Sequence, residues 1–273
     1  MTLSRLALPI FLFAAVATLS SVSAVEIIAH RGASADAPEN TLPAMELAWK
    51  QGADAIETDI WLSSDGKLII FHDANTKRYE ADASIAPRKI SALTLEEAQK
   101  LDVGALKGAE FKGTRIPTLE SILGTIPKGK RAVLELKAGP EVVPEFARVL
   151  KTVARPVRET SVISFNYETL RASKHALPEL EHYLLADYKK DPKTGELPEL
   201  APLIERAKAA RFDGLDLQFG WPLTKEFVAQ IKAAGLKLIT WTVDDETVAQ
   251  RLADAGVDGI TTNKPAWLRS HVK

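Results

Sequence analysis

The chain has 273 residues, 46% of them hydrophobic and 26% charged, with 35 basic against 36 acidic side chains and a formal net charge of −1. So even a balance leaves no electrostatic footprint for nucleic acid and no polybasic patch for anionic lipid. The absence of cysteine excludes disulfides and a lipid-anchored cysteine, and leaves stability to core size.

The first residues read as a leader. Arg5 gives a basic start, positions 6–19 are almost entirely apolar, and Ser21-Val22-Ser23-Ala24 ends the run with small residues. That is the pattern of a secretory signal peptide cut after Ala24. The run is shorter than the roughly 18 apolar residues that a spanning helix wants. The expectation is a signal peptide over 1–24 and an exported mature chain, periplasmic or secreted, over 25–273, with no membrane anchor left. Losing Arg5 alone takes the formal charge from −1 to −2. A chain of this size fits one (β/α)₈ barrel.

The elements follow in order. Residues 26–30 form a strand, 42–51 a helix and 54–60 a second strand. Asp65-Gly66 is a tight-turn signal, so 67–71 folds back as a hairpin arm. The stretch 73–115 is polar and lacks a clear strand. Within it 91–101 forms a short helix, with Thr94 as N-cap and Glu97 completing a capping box. Residues 74–115 are therefore expected to be a small insertion lobe. Alternation then resumes. Helices over 118–126, 141–153, 167–177, 197–210, 224–234 and 245–255 interleave with strands over 132–137, 161–165, 182–186, 214–219, 237–242 and 259–262. Eight strands with helices between them predict an α/β fold, a closed parallel TIM barrel with active groups at the C-terminal strand ends.

Chemistry-bearing residues gather at those ends. Ala29-His30-Arg31-Gly32, Ile56-Glu57-Thr58-Asp59, Phe71-His72-Asp73 and Leu134-Glu135-Leu136-Lys137 each lie at or just past a strand end. Strand residues two apart share a face, so Glu57 and Asp59 point the same way. Glu135 joins them at the mouth. Two carboxylates about 4 Å apart repel by ~4 kcal/mol at an effective dielectric near 20. Either the acids protonate or a cation joins them. An all-oxygen set suits one hard divalent ion, Ca²⁺ or Mg²⁺, whereas zinc favours nitrogen or sulfur. Surface acids paired with lysines are the plainer alternative. His30 and His72 suit general acid and base work at neutral pH. Arg31 and Lys137 offer fixed positive charge to a phosphodiester's equatorial oxygens. His175, His182 and His271 read as structural. Thr41 or Asn40 caps the following helix, and Glu39 either does nothing special or orients a catalytic side chain. Trp241 is either barrel packing or an apolar wall for substrate. Phe165, Phe219 and Trp221 are similar candidates.

These residues, with Pro38-Glu39-Asn40-Thr41, Gly52-Ala53-Asp54-Ala55-Ile56-Glu57-Thr58-Asp59, Ile116-Pro117-Thr118-Leu119-Glu120 and Gly256-Val257-Asp258-Gly259-Ile260, resemble the glycerophosphodiester phosphodiesterase family over essentially the whole mature chain. The resemblance implies a barrel of the phosphatidylinositol-phospholipase type with an insertion where 74–115 lies. It implies a divalent metal on Glu57, Asp59 and Glu135, an acid/base pair of His30 and His72, and phosphate contacts from Arg31 and Lys137. The implied reaction gives sn-glycerol 3-phosphate and an alcohol from a small-molecule glycerophosphodiester. Exported members are often calcium-dependent and cytosolic ones magnesium-dependent. Two positions depart from the family pattern: Asn263 stands where Asp is frequent, and Asp244 where Asn is common. Two rivals are a phospholipase-D-like lyase of the same barrel superfamily, which leaves a cyclic phosphate, and a non-catalytic phospho-ligand-binding barrel. The 74–115 lobe fits the phosphodiesterases better.

Overall fold

The computed structural model describes residues 25–79, 86–153 and 159–272. The expected signal peptide, 1–24, lies outside them. Among the described residues no helix is long and apolar enough to cross a membrane.

Among the described residues nine strands form one sheet: β1 (Glu26–Ala29), β2 (Ala55–Leu62), β3 (Leu68–Ile70), β4 (Arg131–Leu136), β5 (Thr160–Ser164), β6 (Glu181–Ala186), β7 (Gly214–Gln218), β8 (Lys237–Trp241) and β9 (Gly259–Thr262). All but β3 pair in parallel, and β1 bonds to both β2 and β9, so eight strands close into a barrel. β3 folds back antiparallel onto β2 as the hairpin arm, with Leu62 opposite Leu68.

Helices α1 (Leu42–Lys50), α3 (Leu119–Gly124), α4 (Val143–Val153), α5 (Tyr167–Ala176), α6 (Leu200–Ala209), α7 (Lys225–Ala233) and α8 (Glu246–Ala255) follow successive strands, while α2 (Leu95–Ala98) sits in the lobe. Their starts are chemically marked. Thr41, Thr118, Asn166, Thr224 and Asp245 each accept an amide of the first turn, and Thr94 and Glu97 make the expected reciprocal box. α6 begins at Leu200 rather than 197. A further helix, α9 (Pro265–His271), went unread because seven residues, under two turns, carry too little periodicity. It packs on β1 and α8. The lobe is tied down by Lys107, whose ammonium donates to the carbonyls of Ser34 and Ala35, both at 2.6 Å.

Strand alternation sorts the core into two. Leu134, Leu215, Leu217 and Leu238 face the helices. Ile28, Val133, Tyr183 and Ile239 fill the barrel interior. The registers stack the inward residues in layers of four drawn from alternate strands. The lowest is ionic: Arg131 reaches Glu26 at 3.5 Å and Glu181 at 3.1 Å, and Lys237 also pairs with Glu181. Above it the ring of Tyr183 occupies the space a Cβ on Gly214 would need. The apolar layer of Ile28, Val133, Tyr183 and Ile239 then seals the barrel. Above that seal come the acids of the mouth and His30, set apart from the ionic layer below by Ile28, Val133, Tyr183 and Ile239.

Candidate active site

β1 delivers His30 to the mouth, and the chain then turns sharply. Arg31 and Gly32 both take positive φ, 53° and 80°. A side chain at Gly32 is excluded, because a Cβ there would lie 2.6 Å from the carbonyl carbon of Ala44. The turn aims the Arg31 amide at Glu57 Oε2, which accepts it at 2.9 Å.

Glu57, Asp59 and Glu135 are buried, with 3%, 1% and 9% exposure. One oxygen of each lies within 4.8 Å of the others. Three converging carboxylates with no nitrogen or sulfur among them fit a hard divalent cation. The neighbouring cations confirm how much negative charge gathers here. Lys137 Nζ sits 3.0 Å from Glu135 and 3.3 Å from Asp59, and Arg31 Nε 3.3 Å from Asp59. Two positive charges against three acids leave an excess. Burial, with the charges of Asp59 and Glu135 added, pushes Glu57 well above the usual carboxylate range. Burial and then Asp59 push Glu135 up to about 7. Burial opposes the charge on Asp59 too, yet Lys137 and Arg31 hold its carboxyl below the ordinary value.

His30 is oriented by a chain of bonds with one consistent direction. Asp244 can only accept. It takes the Asn263 side-chain amide through Oδ2 at 2.6 Å and the Asn263 backbone N–H through Oδ1 at 2.9 Å. The Asn263 carbonyl oxygen must then face His30, and it lies 2.7 Å from Nδ1. Nδ1 therefore carries the hydrogen and Nε2 the lone pair. Burial, and secondarily Arg31, lower the His30 pKa to about 4, so the ring is neutral. His72 is held differently. Its Nδ1 is 2.8 Å from Asp73 Oδ1, and Asp73 is fixed in turn by Arg78 Nε at 3.0 Å. A cleft of about 650 Å³ opens beside His72, lined by Trp61, Asp73, Asn75, Lys77, Arg78 and Lys137.

The fold brings His30, His72, Glu57, Asp59, Glu135, Arg31 and Lys137 to one end of the barrel. Trp241 lies there as well, half-buried, its indole N–H on the Asp216 carbonyl at 3.2 Å and its ring edge-on to Phe165 at 5.6 Å. Thr41 is the helix cap, and Glu39 pairs with Arg31 at 3.2 Å and also with Arg78. His182 is structural, bonded through Nε2 to Ser173 at 2.9 Å on the helix side.

Three roles escaped the sequence reading, in which Asn40 stood only as an alternative helix cap to Thr41. Asn40, buried with φ 59°, donates to Asp59 Oδ2 at 2.8 Å and accepts from Thr58 Oγ1 at 2.7 Å. Its signal was an Asn between Glu39 and Thr41, where a left-handed residue is wanted. Arg78 comes from the lobe and gave no signal. Asp216 on β7 is 1% exposed, and its Oδ1 meets no hydrogen-bond donor. Burial, then the charge of Glu135, push its carboxyl well above the usual range.

Comparisons with known proteins identify the family. The model of the glycerophosphoryl diester phosphodiesterase family matches residues 30–267. A glycerophosphodiester phosphodiesterase of Caldanaerobacter subterraneus subsp. tengcongensis is 34% identical over 252 residues, covering 90% of this chain and 97% of that protein. One of Bacillus subtilis is 31% identical over 264 residues, covering 90% and 86%. The solved structure of an Oleispira antarctica phosphodiesterase in complex with the product sn-glycerol-3-phosphate superposes with a TM-score of 0.79 at 31% identity, covering 91% of this chain and 96% of that one. His30, His72, Glu57, Asp59, Glu135, Arg31 and Lys137 all fall inside the matched region, as do β2 to β9, and the chain belongs to the glycerophosphoryl diester phosphodiesterase family.

Proposed function

We propose that this chain hydrolyses glycerophosphodiesters to sn-glycerol 3-phosphate and an alcohol, using a divalent cation and the His30/His72 pair. One observation carries the reading: three buried carboxylates within 4.8 Å of one another, at the mouth of a barrel that also presents two oriented imidazoles. Glu57, Asp59 and Glu135 would hold the cation, Ca²⁺ or Mg²⁺. When bound, the ion supplies charge neutralisation at the phosphoryl oxygens.

The residues divide the remaining work. His30 is the base: its Nε2 lone pair takes a proton from the attacking oxygen, that of water or that of the neighbouring glycerol hydroxyl (in which case water then opens the cyclic phosphate), while Asn263 and Asp244 hold the ring in that tautomer. His72 is the acid: Asp73 accepts from Nδ1, which leaves Nε2 to hand a proton to the departing alcohol oxygen. The cleft beside His72 gives the departing head group room. Arg31 and Lys137 contact the phosphate, and Glu39 orients Arg31. Trp241 and Phe165 form an apolar wall on the opposite side. The leader pattern of 1–24 supports export, to the periplasm or outside the cell, and 74–115 acts as a lobe that supplies Arg78.

The test is glycerophosphocholine followed by phosphorus NMR, with chelator and then with Ca²⁺ or Mg²⁺ restored. Cation-dependent release of sn-glycerol 3-phosphate is expected. An accumulating cyclic phosphate would favour the lyase reading, and binding without turnover the non-catalytic one.

A further inference from the structure

Asp216 is a buried acid that the mechanism above leaves unused. Its place is fixed by the sheet. On β7 its Cα partners are Leu185 on β6 and Ile239 on β8, and both belong to the cluster inside the barrel. Its chain neighbours Leu215 and Leu217 face the helices instead. The side chain therefore points inward. The registers put it in the layer of Glu57, on the opposite wall and directly above the apolar seal. It lies close enough for the charge of Glu135 to act on it.

Nothing in the fold explains a carboxyl here. Among the described residues no arginine, lysine or amide reaches its Oδ1. The ionic layer of Arg131 and Lys237 is on the far side of Ile28, Val133, Tyr183 and Ile239. A buried carboxylate without a counter-charge is costly, and a barrel layer is ordinarily filled by branched apolar side chains. A bound cation would supply the compensating charge.

We propose that Asp216 is a fourth acid of the cation site, closing it from the floor of the barrel and strengthening cation binding. It stands outside the trio whose oxygens converge within 4.8 Å, so it acts on the ion at longer range, as a positioning residue. The low-dielectric surroundings keep that interaction from being screened by salt. The inference rests on the cation-dependent reading given above.

The experiment is calorimetric titration of the purified chain with Ca²⁺ and, separately, Mg²⁺, with no substrate present. Asp216→Asn removes the charge and keeps the shape, and Asp216→Ser leaves a small polar group. Both are expected to weaken cation binding about ten-fold, the lower edge of what supporting groups around a metal contribute. The metal-free melting temperature of Asp216→Asn is expected to be at or above that of the parent, which a merely structural acid would not give. A dissociation constant within two-fold of the parent overturns the inference, and so does failure of both variants to fold. If the parent chain itself takes up neither ion, the cation-dependent reading has failed, a separate outcome from a parent that binds and a variant that binds equally well.

Discussion

The side-chain amide of Asn263 donates to Asp244 Oδ2 at 2.6 Å, joining the tops of β9 and β8 beneath His30. The two positions read from the sequence as departures from the family pattern are thus one contact, with acid and amide exchanged relative to that reading. The hydroxyl of Thr262 also donates to Asp244 Oδ1 at 2.8 Å, and Ser34 Oγ donates to Asn263 Oδ1 at 2.8 Å. The exchange preserves what His30 needs, an acceptor facing Nδ1.

Exchanging the pair should therefore be tolerated where single changes are not. Asn263→Asp alone sets two carboxylates against each other and is expected to lower kcat at least ten-fold. Adding Asp244→Asn should return it to within a few-fold of the parent, a coupling read from a double-mutant cycle. Additive losses would mean that the pair does not act as a unit.

The two histidines should respond differently to leaving-group chemistry. Replacing either with alanine is expected to cost about 10²–10⁴-fold with a natural head group. With a p-nitrophenyl ester, whose leaving group needs no proton, His72→Ala should recover most of its rate and His30→Ala should not. Equal recovery of both variants contradicts the assignment of base and acid.

The acidic trio gives the cation-free protein a distinctive pH dependence. Glu135 titrates near 7 in the fold against an ordinary 4.5. Between those values the unfolded chain has released a proton that the folded one keeps, so stability falls as pH rises through the window. His30, lowered from 6.5 to about 4, acts in the opposite sense, its contribution falling as pH drops from 6.5. Urea unfolding in chelator at about pH 5 and about pH 8, for the parent and Glu135→Gln, separates the two. The variant should show a shallower decline toward high pH, the remainder coming from Glu57 and Asp216, which are raised as well, and added cation should restore the parent most at high pH, by about 2.7 kcal/mol at a hundred-fold excess over Kd. A parent whose stability rises between those pH values while Glu135→Gln behaves identically would refute this account.

Gly32 tests the tight turn that carries Arg31. Gly32→Ala combines a φ of 80° with a Cβ placed 2.6 Å from the Ala44 backbone. The expected cost is about 1–3 kcal/mol, or roughly 2–4 °C of melting temperature per kcal/mol in a chain of this size. Activity should fall with it, since the same turn presents the Arg31 amide to Glu57. An unchanged melting temperature would show that the turn relaxes freely.

Most of the fold was legible because it is written in local patterns. Strand and helix periods alternate, and Thr118, Asn166 and Asp245 stand where the helices begin. The capping box of Thr94 and Glu97 marked even the four-residue α2 inside the lobe. The short α9 was not legible, since its stability comes from Leu268 docking against the barrel and not from its own periodicity.

The site divides along the same line. Alternation along one strand determined that Glu57 and Asp59 share a face, and strand ends determined that Glu135, His30 and His72 meet them. Those are short-range facts, settled by a period of two and by parallel closure. Only the tertiary structure decided that Asn40 braces Asp59, that Arg78 crosses from the lobe to Glu39, and that Asp244 and Asn263 fix the tautomer of His30. It alone set Asp216 across the barrel from Glu57. Each of these joins segments distant in sequence through barrel closure or lobe docking, and no local pattern encodes which distant side chain will arrive.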